Sequence, residues 1–200
     1  MKLLAFSDIH GSKQALRKLK TFSNQNNPDI IVCAGDITNF EENIRSILIK
    51  LNSFKKPIVI IHGNHESAET FNILKKRYKN INYVHNSSFK FQNYLFIGFG
   101  GGGFSSTDTD LKKASKKLEN IIKNNKGKKI IMITHGPPYK TKLDYLDKEY
   151  TGSKTLTEFI KKNQPDLLVC GHIHENAGKQ DFINKTKILN PGPKGKILNL

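Results

Sequence analysis

Five short apolar runs in this chain each finish in a motif made of Gly, Asp, Asn or His, and no other feature restricts the fold as much. The runs are residues 2–6, 29–33, 57–61, 129–133 and 166–170. The motifs that close them are Ser7-Asp8-Ile9-His10-Gly11, Ala34-Gly35-Asp36, His62-Gly63-Asn64-His65-Glu66, Thr134-His135-Gly136 and Gly171-His172-Ile173-His174. Apolar runs of this length, bounded by turn residues, read as buried strands. Ligand sites in open α/β sheets form at the carboxyl ends of strands, so the five loops are expected to meet.

Helical periodicity separates the first three strands. Ser12 is placed to cap a helix whose stripe is Leu16, Leu19 and Phe22, stopped at Asn26-Asn27-Pro28. Asn39, with Glu42 three residues on, reads as the cap of a second helix carrying Ile44, Ile47, Leu48 and Leu51. Phe71, Leu74 and Tyr78 mark a third. The resulting β-α-β-α-β-α order predicts parallel strands with covering helices. Residues 81–84, 89–91 and 94–97 are expected to be hairpin-like pieces of a more antiparallel region. A helix is expected over about 110–124 and another around Leu156, Phe159 and Ile160, stopped at Pro165. Short strands at 178–183, 187–189 and 196–198 close the chain. Residues 139–151 are polar and loop-like beside a motif, which leaves a substrate-facing loop and a plain surface loop both open. The 200 residues show no internal repeat and no linker, so one domain spanning 1–200 is expected.

No apolar run reaches the ~18 residues a membrane span needs. One Lys and four apolar residues ahead of Ser7 are too few for a signal peptide, so the expected location is cytoplasmic and no membrane partner is expected. Cys33 and Cys170 lack CxxC spacing and read as buried free thiols. The formal net charge of +16 could attract nucleic acid, but the lysines are scattered over helix faces rather than gathered in one basic arm.

The strand ends supply seven metal-ligand candidates: Asp8, His10, Asp36, Asn64, His135, His172 and His174. Imidazole and carboxylate donors without thiolate suit divalent Mn, Fe, Zn, Ni or Co. Seven is too many for one tetrahedral ion and fits two ions if one carboxylate bridges them. Two divalent ions outweigh two aspartates, and the surplus positive charge attracts phosphate. His62 is expected to be a packing residue, His85 to be exposed, and Glu66 to sit at a helix start. Gly98-x-Gly100-x-x-Gly103 formally matches a dinucleotide fingerprint. The next strand ends in Thr134-His135 where that pattern wants an acidic residue, so close backbone approach or tight strand packing explains the glycines better.

Asp8-x-His10, Gly35-Asp36, Gly63-Asn64-His65-Glu66, His135 and Gly171-His172-x-His174, in that order, resemble the blocks of the calcineurin-like metallophosphoesterases. Thr134–Pro138, the Gly-rich run, and Gly171–Glu175 with Asn190-Pro191 are similar to its Icc-related, UPF0046-type branch, which is similar to enzymes acting on phosphodiesters, some of them on cyclic nucleotides. The resemblance implies an α/β, four-layer α-β-β-α sandwich with mixed sheets. It implies one metal on Asp8, His10, Asp36 and His174 and another on Asp36, Asn64, His135 and His172, with Asp36 bridging and manganese favoured. A metal-bridging hydroxide would then attack phosphorus, and His65 would protonate the leaving oxygen. Some small relatives carry Cys where His65 stands. The expected partner is a small phosphorylated substrate, a phosphodiester or phosphomonoester. A nuclease acting on DNA or RNA and, in another class, a non-catalytic binding scaffold stay open as alternatives.

Overall fold

The computed structural model describes residues 1–103 and 106–200. The first half alternates strand and helix as its periodicity predicts. Its elements are β1 (Lys2–Phe6), α1 (Lys13–Asn26), β2 (Ile30–Cys33), α2 (Ile44–Asn52), β3 (Ile58–Ile60), α3 (Ala68–Leu74) and β4 (Ile81–Tyr83). The second half contains β5 (Ser87–Phe91), β6 (Tyr94–Phe99), α4 (Thr109–Lys123), β7 (Lys129–Thr134), β8 (Tyr145–Leu146), β9 (Glu149–Tyr150), α5 (Lys154–Asn163) and β10 (Leu167–Val169). β11 (Gln180–Ile183), β12 (Thr186–Leu189) and β13 (Lys196–Asn199) complete it.

Two large mixed sheets result, one ordered β13-β1-β2-β3-β4 and the other β11-β12-β10-β7-β6-β5. β1 to β4 are parallel, with β13 antiparallel at the edge. β12, β10, β7 and β6 are likewise parallel, flanked by antiparallel β11 and β5. Residues 81–84, expected among antiparallel pieces, therefore belong elsewhere. β4 adds in parallel to β3, because the connection over residues 61–80, which carries α3, is long enough for the crossover.

Strand alternation sorts the core into three layers. Leu4, Phe6, Ile31, Cys33, Ile58 and Ile60 pack outward against Leu19, Leu48 and Phe71 of α1, α2 and α3. Leu3, Ala5, Val32 and Val59 face Phe96, Ile131 and Val169 across the gap between the sheets. Leu95, Met132 and Leu168 cover the far side, against Leu118, Leu156 and Phe159 of α4 and α5. Near-continuous apolar runs are what strands buried on both faces require. These layers make an α-β-β-α sandwich. Cys33 and Cys170 are buried and unbridged, and burial pushes both thiols up.

Ser12 caps α1, accepting from the Ala15 N–H at 3.1 Å. Asn39 does not cap α2; the helix begins five residues later, and Asn39 serves the site instead. The Gly-rich run packs tightly: a Cβ on Gly98 would lie 2.7 Å from Ile61 and Val84 side chains, and one on Gly100 would enter the His62 ring. Residues 139–151 carry the β8–β9 hairpin and are tied around the buried Asp144 carboxylate, which accepts from the backbone of Lys140, Thr141 and Gly152. Asn176 donates to Leu143 O and Tyr145 O, fastening this segment to the His172–His174 loop.

Candidate metal centre

β1, β2, β3, β7 and β10 all deliver their carboxyl ends to one edge of the sandwich, and the loops there are stitched to one another. Asp8 N–H donates to Gly35 O at 3.1 Å, His10 N–H to Asp36 O at 3.1 Å, and Gly171 N–H to His135 O at 2.8 Å. Asp8 and His10 are not on extended chain. Both are left-handed, with φ 56° and 43°, because the loop must turn twice to make those bonds. Asp36 (φ 50°) and His172 (φ 72°) adopt the same sparsely populated conformation. Two glycines allow the loops to close: a Cβ on Gly63 would collide with the Asp36 carboxylate, and one on Gly171 would lie 2.5 Å from Asp8 Oδ2.

All seven sequence-derived ligand candidates meet here. His174 Nε2 lies 3.8 Å from Asp8 Oδ1 and 3.0 Å from His10 Nε2, and His10 Nε2 lies 3.7 Å from Asp36 Oδ2. On the other side of Asp36, His135 Nε2 is 3.2 Å from Oδ2 and 2.9 Å from Asn64 Oδ1; His172 Nδ1 is also 2.9 Å from Asn64 Oδ1. Asp36 thus touches both sets. His65 is beside them, its Nε2 3.9 Å from Asp36 Oδ2 and its backbone N–H donating to Asp36 Oδ1 at 3.0 Å.

These donors suit cations. His135 Nδ1–H donates to Ala34 O at 2.8 Å, so Nε2 is the nitrogen that faces two oxygens, Asn64 Oδ1 and Asp36 Oδ2. Without an ion an Nε2 proton bridges these groups; a bound divalent cation would take its place. His10 is oriented the same way: its Nδ1–H donates to Asn39 Oδ1 at 3.0 Å, leaving Nε2 for the cluster. This outer bond is how metal-binding imidazoles are held in register. Burial pushes the Asp36 carboxyl up, but the His135 hydrogen bond and charge, with help from His65, outweigh burial and hold it below its ordinary range. Burial pulls His135 down, and Asp36 reverses that, so its imidazole stands above the usual value. His172, buried beside His135, is held down at about 4.

Two participants escape sequence reasoning. Asn39 is one. Glu66 is the other: it is not a helix-start residue but a buried carboxylate accepting from Asp36 N, Thr38 N, Thr38 Oγ1 and Gly63 N at 2.8–3.1 Å. Burial and the Asp36 charge push its carboxyl up, against the donors at Gly63 and Thr38. Four donors with no acceptor among them fit a carboxylate that ties the β2 and β3 loops together. Glu66→Ala strands those donors and should cost about 3 kcal/mol of stability in urea unfolding. It should also weaken divalent-metal binding about 10- to 100-fold by titration. Unchanged metal affinity would remove Glu66 from this role.

His62 is buried as expected, with the Tyr83 hydroxyl 2.7 Å from Nδ1. His85 is not exposed; it is half-buried and accepts the Gly100 N–H at 2.9 Å. Burial, with the charges of His85 and His135, pushes His62 down to about 4. The unfolded chain takes up this proton near pH ~6.5 and the folded chain refuses it until about 4, so stability is full above that window and falls as pH drops through it. Denaturant unfolding should show a loss of order 3 kcal/mol across the window that His62→Gln lacks; equal losses would contradict this.

Imidazole, carboxylate and amide oxygens gathered where two sheets meet make a metal-dependent hydrolytic site. The chain belongs to the calcineurin-like phosphoesterase family, whose model matches residues 1–176. It is 31% identical to the uncharacterized protein MJ1162 of Methanocaldococcus jannaschii, over 97% of this chain and 89% of that one. It is 25% identical to a protein described as a probable glycerophosphodiester phosphodiesterase of Arcobacter nitrofigilis, over 74% of this chain and 57% of the relative. TT1561 of Thermus thermophilus superposes with a TM-score of 0.78 at 17% identity, covering 99% of this chain and 98% of its own. A dimetal phosphatase from Danio rerio gives 0.67 at 11%, covering 94% and 86%; both share the fold. Among the described residues no helix is long and apolar enough to cross a membrane.

Proposed function

We propose that this chain hydrolyses a small phosphodiester through a binuclear centre, with Asp8, His10, Asp36 and His174 holding one divalent ion and Asp36, Asn64, His135 and His172 the other. The carrying observation is Asp36: one buried carboxylate oxygen lies 3.7 Å from His10 Nε2 and 3.2 Å from His135 Nε2, so a single group serves both sets. When bound, two such ions supply an acidified water and charge to neutralise the phosphoryl oxygens. The donor set contains oxygen and nitrogen only, which suits Mn, Fe, Zn, Ni or Co. Diester specificity draws support from the Arcobacter relative's description.

The chain's own residues then divide the work. Asn39 and Ala34 O hold His10 and His135 with their Nε2 atoms inward. Glu66 fixes the separation of the Asp36 and Asn64 loops. His65, 22% exposed at the side chain, is the acid: its backbone N–H is anchored to Asp36 Oδ1 and its ring Nε2 stays 3.9 Å from Oδ2, beside the cluster. A proton delivered there lets a poor leaving oxygen depart as an alcohol.

Turnover by protein reconstituted with each metal tests this reading. The panel is phosphomonoesters, a bis-aryl diester, 2′,3′- and 3′,5′-cyclic nucleotides, simple alkyl diesters and single-stranded nucleic acid. Metal-dependent hydrolysis of diesters is expected. No hydrolysis of any member with any of the five metals would overturn the reading, and activity confined to nucleic acid with steep salt dependence would make the chain a nuclease.

A further inference from the structure

Phe40 is 78% exposed, four residues past Asp36, and its backbone is left-handed at φ 46°. A bulky apolar residue in that conformation and that exposure contributes nothing to a core. Yet its position is fixed from both sides. Asn39 is held by His10. Thr38 gives its hydroxyl to Glu66 and accepts the Glu41 N–H at 3.1 Å. Glu41 in turn accepts from Ser67 N at 2.7 Å and Thr70 Oγ1 at 2.9 Å, which docks the turn against the start of α3. The ring so presented lies with its centroid 4.4 Å from that of His65, tilted by 39°.

We propose that Phe40 is a specificity-determining residue that stacks on a flat ring carried by the leaving group, and that the leaving group is a nucleoside. This rests on His65 being the proton donor. Whatever oxygen takes that proton departs beside His65, so the group attached to it passes over the neighbouring Phe40 ring. Base–aromatic stacking needs only an open π face, which an exposed phenyl ring offers. A base one sugar away from the departing oxygen supplies the matching face.

The test measures kcat/KM of metal-reconstituted wild type, Phe40→Ala and Phe40→Leu on dithymidine phosphate and on its two analogues lacking one base. Wild type should lose about 5- to 150-fold when the base on the leaving side is removed, the range of one base–aromatic stack. Phe40→Ala and Phe40→Leu should show that loss on the intact dinucleotide, no further loss on the analogue, and an unchanged alkaline limb of the pH–rate profile, the limb set by a general acid. An equal loss on every substrate would make Phe40 a support for His65 and overturn the proposal. So would no loss, or a wild type that hydrolyses other diesters and ignores the base. If wild type hydrolyses nothing in the wider panel, the phosphoesterase reading itself has failed.

Discussion

His65→Ala should retain its metals and lose about 10²- to 10⁴-fold in kcat on an alkyl diester, the usual contribution of a positioned general acid. On a p-nitrophenyl diester the loss should be far smaller, because that anion departs without a proton. The geometry supplies the reason. His65 follows Asn64 in the chain, but only its backbone bonds to Asp36, with the N–H donating to Oδ1 at 3.0 Å; the ring Nε2 stays 3.9 Å from Oδ2. Its Nδ1 is buried with no hydrogen-bond partner among the described residues, unlike the outward nitrogens of His10 and His135. The ring is placed by packing between Phe40 and His10 rather than by a hydrogen bond that would assign it to a metal. His65 does lie near enough to His10 and Asp36 to complete a ligand triad. Metal content separates the two roles: a ligand's removal empties a position, and an acid's removal does not. Full activity of the variant on the alkyl diester would exclude the acid role.

Asp36→Asn should have the larger effect on the site itself, with bound metal falling below one ion per chain and turnover falling by more than about 100-fold on every substrate. Asp36 carries one oxygen, Oδ2, that lies 3.7 Å from His10 Nε2 and 3.2 Å from His135 Nε2, a nitrogen of each donor set. The amide is isosteric and its oxygen can still accept the His65 N–H, so the fold should survive, as circular dichroism and urea unfolding would verify. Asp8→Asn removes a carboxylate of the first set, which also accepts the His172 N–H at 3.1 Å, and should cost the first ion more than the second. A variant at Asp36 that still binds two ions would mean that each set is complete alone.

Much of this was legible before any coordinates. Apolar runs ending in Asp, Asn or His marked β1, β2, β3, β7 and β10, and strand direction in parallel sheets brings such ends together, so all seven ligand candidates converge. The less legible parts depend on pairings between distant loops. Asn39 has the composition of a helix cap, and only the approach of the β1 loop makes it a partner of His10. Glu66 looks like a first-turn acid until the β2 loop folds over it and supplies three donors. The φ values of Asp8 and His10 are set by bonds to residues 35 and 36, which no local rule anticipates. β4 departs from the antiparallel expectation for a related reason: a three-residue strand carries no direction in its own sequence, and its parallel pairing follows from the connection that carries α3.

Metal analysis of the reconstituted chain measures directly whether a pair of ions shares Asp36. Protein stripped by chelator, reloaded with manganese and freed of excess should carry two ions per chain, show spin coupling between them, and recover diester hydrolysis in step with the second ion. One ion at full activity, or two uncoupled ions, would contradict the sharing.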